Sequence, residues 1–321
     1  MAMTGAMSAA IAGMKTHMQA LSVVGNNIAN VNTYGYKTQR ITFKDSLYST
    51  LSAGSAATDT AGGLNPQQLG YGCGVGTIDL NMATGDLSPT GMATDCAIQG
   101  DGFFLVGAKG KTFNNMEDVK GLELTRVGNF EFRDGYLVDK MSGNVVYGLI
   151  SRDANNVALT LQPIRLPLKK GDGSADYTTP PGNNTEFIDY ESLSIDANGK
   201  ITCTNASSAT GEPVVVGYIA LAKVDNPSGL LHKDGPYYRA GEAAGDISLF
   251  VPNSAVTGQV ANADLLTGSE TGLMTSFLEG SGTDLATEFS NMIIYQRGYQ
   301  ANTRIISVTD SMLEELVNIK R

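Results

Sequence analysis

Hydrophobic positions at the two ends of the chain recur with helical spacing, and between them the spacing changes to that of strands. From Thr283 to Arg321 no proline interrupts the chain. Leu285, Phe289, Met292, Tyr299, Ile306, Leu313 and Val317 recur there at steps of three and four, or multiples of those steps. This predicts one long helix with an apolar stripe, about 57 Å from end to end at about 1.5 Å per residue. Gln296, Thr303 and Asp310 fall on the same stripe and interrupt it. Ser281, with Asp284 three residues later, gives the helix a capping-box-like start. At the other end Met7, Ile11, Met14, Met18, Leu21, Gly25 and Ile28 keep alternating steps of four and three, an a/d seam of roughly three heptads. A helix with one apolar face needs a partner. The two ends are therefore expected to pair as a coiled coil, with each other or with other copies, while the middle projects.

The seam closes in Gly25-Asn26-Asn27-Ile28-Ala29-Asn30. By their own chemistry Asn26, Asn27 and Asn30 read as a polar helix end, because Asn tolerates the left-handed conformation and bonds nearby backbone. Residues 45–65 are rich in Ser, Ala, Thr and Gly and read as an extended linker. From Gly70 the period shortens towards two, through Ala97–Val106 and Leu124–Phe132. Asp134-Gly135 and Asn198-Gly199 each separate strand-like runs and predict hairpins. Val214–Ala222 reads as a buried strand. The resulting plan is α+β: a helix at 1–33, a linker region at 34–70, a first β-rich part at 71–148, a looser insertion at 149–189, a second β-rich part at 190–282, and a helix at 283–321.

Composition sharpens this division, since all ten prolines lie between Pro66 and Pro252. The net charge of −10 argues against nucleic acid as a partner. No acidic residue precedes Asp45, whereas Lys15, Lys37, Arg40 and Lys44 do, and the last helix carries Asp284, Glu288, Asp310, Glu314 and Glu315. Opposite charge could draw the ends together, although exposed pairs are individually weak. Three cysteines, Cys73, Cys96 and Cys203, make an odd number at no metal spacing. The glycine run from Gly70 to Gly76 lacks the last glycine of a dinucleotide loop and runs into Thr77-Ile78-Asp79-Leu80 instead of a helix. His17 and His232 have no nucleophile motif beside them. No catalytic, metal or cofactor residue is assigned, and an enzyme is not expected. No apolar run is long enough to insert in a membrane, and no cleavable signal pattern opens the chain, which suggests a cytosolic protein or export by another route.

Four stretches carry a resemblance. Asn26 to Lys37 is similar to the N-terminal signature of bacterial flagellar rod and hook proteins. Ala97–Val106 with Thr125–Phe130 resembles the start of that family's β-rich domain, Asn226–Leu230 its later turn, and Gln296–Arg304 its C-terminal helix. Within the family, hook proteins resemble the chain most through Gly63–Gln68, Asp284–Phe289 and Met312–Arg321. Distal rod proteins come next, through Gln162–Pro167. The resemblance implies a structural subunit of the extracellular hook: exported by the flagellar type III apparatus, polymerising with its own copies into a hollow curved tube, meeting rod, hook-cap and hook–filament junction proteins, and transmitting torque as a universal joint. It further implies an assembly interface made of Met7, Ile11, Met14, Met18, Leu21, Asn26, Asn27, Ile28, Asn30, Leu285, Phe289, Met292, Tyr299, Ile306, Leu313 and Val317. A distal rod subunit is the alternative within the family, and a secreted coiled-coil adhesin the alternative outside it.

Overall fold

Both terminal helices form, and the strands between them divide into two groups. The computed structural model describes residues 2–54, 56, 62–110, 113, 116–153, 156–169, 175–176, 186–205, 213–254, 259–260, 263–265 and 271–319. The chain folds as two compact units. The helical unit holds Met1–Val31, Thr38–Asn81 and Thr283–Arg321; the β-rich unit holds Asn32–Lys37 and Met82–Gly282.

In the helical unit the N-terminal helix runs from Ala2 to Ala29 and the C-terminal helix from Leu285 to Ile319. Asp284 caps the second helix. Its carboxylate accepts from Ala286 N at 3.0 Å and Thr287 Oγ1 at 2.5 Å. The Thr287 bond first, and then the Ala286 bond, holds that carboxyl below the usual aspartate range. An Asp one residue before the helix satisfies orphan amides of its first turn. The first helix ends where expected, with Asn30 N bonding Asn26 O.

Residues 34–70, expected as linker, carry strands. Gln39–Asp45 pairs antiparallel with Cys73–Leu80, and Tyr48–Ser52 with Gln67–Gly70. The alternation through Ile41 explains the first pair: Ile41 is buried with Ala20 and Val23 of the N-terminal helix, beside Val75 and Tyr295. Residues 55 and 57–61 of the expected linker lie outside the described residues.

In the β-rich unit, thirteen strands among the described residues join one hydrogen-bonded antiparallel sheet. Both turn predictions hold. Asp134 and Gly135 have φ of 52° and 75°, and Tyr136 pairs with Arg133 across them. Two consecutive left-handed residues match the twist of the flanking strands. Gly199 (φ 72°) turns the second hairpin, where Ile195 pairs with Ile201. Val145–Asp153 pairs with Phe103–Gly107, Asn156–Pro163 and Pro213–Ile219, so residues 149–153 and 156–163 of the expected insertion belong to this sheet. Of the expected insertion, residues 154–155, 170–174 and 177–185 lie outside the described residues. Gly272–Thr275 returns to pair with Cys96–Gln99, and Phe277–Glu279 with Leu87–Pro89. Cys96 and Cys203 fill the core as small apolar groups, and burial pushes the Cys203 thiol up to about 11. No helix of the described residues is long and apolar enough to cross a membrane.

Candidate assembly surface

The two terminal helices pack on each other, but the most deeply buried positions are not those of the expected seam. The buried positions of the N-terminal helix are Ala10, Gly13, Thr16, Ala20, Val23, Val24 and Asn27. Apart from the adjacent Val23 and Val24 they recur every three or four residues and are small or polar, which is why a search for large apolar side chains passes over them. Their small size lets the helix backbones approach closely. A Cβ on Gly13 would lie 2.7 Å from Asn302 Nδ2, and one on Gly298 would lie 2.6 Å from the His17 ring. Gly13 therefore faces Asn302, His17 faces Gly298, and Asn27 bonds Glu288. The partners ascend along one helix as they descend along the other, so the pair is antiparallel at constant register.

Asn27, 1% exposed, fixes one end of this pair. Its Nδ2 donates to Gln39 O at 2.8 Å and to Glu288 Oε1 at 3.0 Å, its Oδ1 accepts from Gln39 N at 3.0 Å, and its carbonyl accepts from Thr283 Oγ1 at 3.2 Å. One amide thus ties the first helix to the following strand and to the start of the second helix. Asn30 bonds back to Asn26 O at 2.9 Å and Oδ1 at 3.1 Å, as the helix-end chemistry predicts. A cavity of 380 Å³ beside Asn27's partners is lined by Val23, Val24, Ile41, Glu288 and Tyr295, among others. Burial raises the Glu288 carboxyl above its ordinary value; the Asn27 bond opposes this, and the charge of Asp284 adds to it. His17 sits edge-on to Phe43, with ring centroids 5.6 Å apart, and 6.2 Å from Tyr295. That explains His17 as a packing residue.

The residues of the expected coiled-coil seam are not among the buried ones. Met18 is 57% exposed, Ile11 is exposed, and Met7, Met14, Leu21 and Ile28 are half-buried. Only Met14 touches the partner helix by a polar contact, from Thr303 Oγ1 to Met14 Sδ at 3.4 Å. The helices pair, but small and polar residues make the joint where an a/d seam was expected. On the second helix Met292 and Ile306 are half-buried, whereas Leu285, Phe289 (51%), Tyr299, Leu313 and Val317 are exposed. Single-stripe reasoning missed Ile293, Ile294 (61%), Ile305, Val308, Met312, Leu316 and Ile319, which are exposed too. The signal was present as their sheer number: a helix that is apolar on several sides is one that becomes buried. Leu47, Tyr48, Leu51 and Leu69 add exposed apolar surface around the Tyr48–Gly70 strand pair. Isolated exposed apolar residues need no explanation, but the number of them on the C-terminal helix makes it a candidate interaction surface.

Comparison with known proteins gives two family matches. Residues 6–37 match the family described as flagella basal body rod protein, and residues 274–319 match the flagellar basal body rod FlgEFG protein C-terminal family. A flagellar basal-body rod protein FlgG of Bacillus subtilis is 35% identical over 97% of this chain and 97% of its own length. A flagellar hook protein FlgE of Borreliella burgdorferi is 34% identical over 51% of this chain and 36% of its own. That of Treponema pallidum is 38% identical over 44% and 29%.

Proposed function

The chain belongs to the flagellar rod and hook protein family, and on that premise we propose that it is a distal-rod-type subunit of the flagellar axial structure. The observation that carries this reading is continuity: similarity to a rod protein runs from end to end in both chains, whereas the hook relatives extend far beyond the part they share with it. Hook-subunit function is the second reading, favoured by the slightly higher identity of the Treponema pallidum hook protein over the shared part.

In the proposed mechanism copies of the chain polymerise through the exposed faces of the terminal helices. Gly13, Gly298 and Asn27 preset each helix pair within one subunit, so the Met18 and Phe289 faces are presented already ordered. Full burial of one large apolar side chain contributes about 1.5–3 kcal/mol, so several partly exposed ones offset the roughly 4–15 kcal/mol that association costs. The apolar strand pair at Tyr48–Gly70 supplies a further contact between copies. Other rod and hook proteins at the ends of the polymer and the flagellar export apparatus are its further partners. Immunogold labelling of isolated hook–basal bodies tests the reading. Label on the rod supports it, and label confined to the curved hook transfers the assignment to the hook.

A further inference from the structure

Lys37, Arg126 and Glu279 meet inside the β-rich unit with no more than 2% of any of them exposed. Lys37 Nζ lies 2.7 Å from Glu279 Oε1 and donates to Ala83 O at 2.9 Å. Gly85 N donates to the same Oε1 at 2.9 Å. Arg126 Nη1 lies 3.5 Å from Glu279 Oε2, and the guanidinium donates to Ile98 O, in the Cys96–Gln99 strand, and to Gly100 O just beyond it. Backbone bonds surround the group: Gly35 N to Glu279 O at 2.8 Å, Gly282 N to Tyr36 O at 3.1 Å, and Gly280 N to Asp86 O at 2.7 Å.

The position of these segments in the chain is the informative point. The chain passes between its two units after Val31, Lys37, Asn81 and Gly282. Lys37, the 82–85 segment and Glu279 lie within a few residues of three of those passages, and Arg126, which directly follows the sheet strand Glu123–Thr125, ties them to the Cys96–Gln99 strand. We infer that this cluster is a mechanical clamp, the point at which tension carried along the chain is taken up by the β-rich unit.

Stability alone is a poor reason for such a cluster. Two cations share one carboxylate out of water, and apolar side chains of similar volume usually serve a fold as well or better. Resistance to pulling is a different quantity. Separating buried charges by an ångström or two forfeits their attraction before water can reach them, which raises the barrier steeply even where the net stability is small. The physiological meaning of the clamp rests on the axial-subunit reading; its existence does not.

Optical-tweezer pulling of the full chain by its two termini tests it, because load then reaches the β-rich unit through Asn32 and Gly282. Lys37→Met keeps Arg126 and Glu279 as a one-to-one pair and is expected to fold. Val216→Ala, in the core and away from the crossings, is the control of comparable thermal stability. At fixed force Lys37→Met should unfold the β-rich unit at least about tenfold faster than Val216→Ala does. Glu279→Gln, which leaves two buried cations unpaired, should be weaker still or fail to fold. Equal unfolding rates for Lys37→Met and Val216→Ala, or wild-type rates for Lys37→Met, would overturn the clamp. Electron microscopy of the same variants reports separately on assembly, so loss of tubes with wild-type pulling rates would count against the clamp and not against the proposed function.

Discussion

Asn27→Ala is the substitution that best tests how the helical unit is held ready for assembly. The change removes a side chain that is fully inside the unit, and with it two bonds to the Gln39 backbone and one to the Glu288 carboxylate. Two neutral bonds at about 0.5–1.5 kcal/mol and one to a charged group at about 1.5–3 kcal/mol would add to more than the members of one network lose together, so the expected cost is on the order of 3 kcal/mol. The partners left behind raise that figure more than the lost bonds do, because Gln39 N–H and the Glu288 carboxylate remain partly buried. Glu288 also supplies a pH signature. Its folded-state value is raised by burial, so the folded state holds more protons than the unfolded one between the ordinary value of 4.5 and the raised value. Stability of the helical unit is then highest below that window and falls as pH rises through it. Removing Asn27, which opposes the rise, should widen the window and deepen the loss. Far-UV circular dichroism melts of wild type and variant at pH 4.5 and 7.5 measure both effects. A melting temperature for Asn27→Ala within a degree or so of wild type at both pH values, or a larger deficit at the lower one, would refute the reasoning.

Further outcomes follow from the same geometry. Gly13→Ala gains about 1 kcal/mol of helix propensity but drives Asn302 aside, so the single variant should melt lower than wild type, and adding Asn302→Ala should restore it. Gly135→Ala meets both a φ of 75° and the Phe187 ring 2.3 Å from its new Cβ, so a loss of about 1–3 kcal/mol in denaturant titration is expected. Burial, and then Arg126, hold Lys37 below its ordinary 10.5, against the opposing pull of Glu279. The unfolded chain therefore binds more protons than the folded one in that window, and stability rises with pH as the folded Lys37 loses its proton. Lys37→Met should flatten the rise, which calorimetry of the pair at several alkaline pH values would detect. Met18→Asp changes an exposed residue of the single chain, so the monomer should keep its helical signal while tube formation under precipitating salt is lost.

Much of this organisation was legible in the sequence for physical reasons. Long proline-free stretches with helical spacing can only be helices, and Asp-Gly and Asn-Gly pairs between strand-like runs left little choice of turn. The strand at Gln39–Asp45 was missed because its one buried apolar residue, Ile41, packs on helix side chains far from it in sequence. The helix pairing face was missed for the opposite reason. Ala10, Gly13, Thr16 and Ala20 carry no hydrophobic signal; Gly13 acts through Asn302, almost three hundred residues away, while Thr16 bonds Cys73 O and Ala20 packs on Ile41. The spacing of Met14, Met18 and Leu21 marks a seam, but it says only that a face seeks a partner, not which one. Lys37, Arg126 and Glu279 look like ordinary surface charges in sequence; only the fold brings three distant positions together in its interior.

The central claim is that the helix faces left open in the single chain become interior when copies assemble. Single cysteines at Met18 and Phe289, in a chain whose half-buried Cys73 is replaced by Ser, allow the same positions to be followed in both states. A thiol reagent added to monomer and to assembled tubes, followed by mass spectrometry, measures their accessibility. Both positions should label fully in the monomer and be protected in the tube. Labelling of the tube at the monomer rate at both positions would contradict the account.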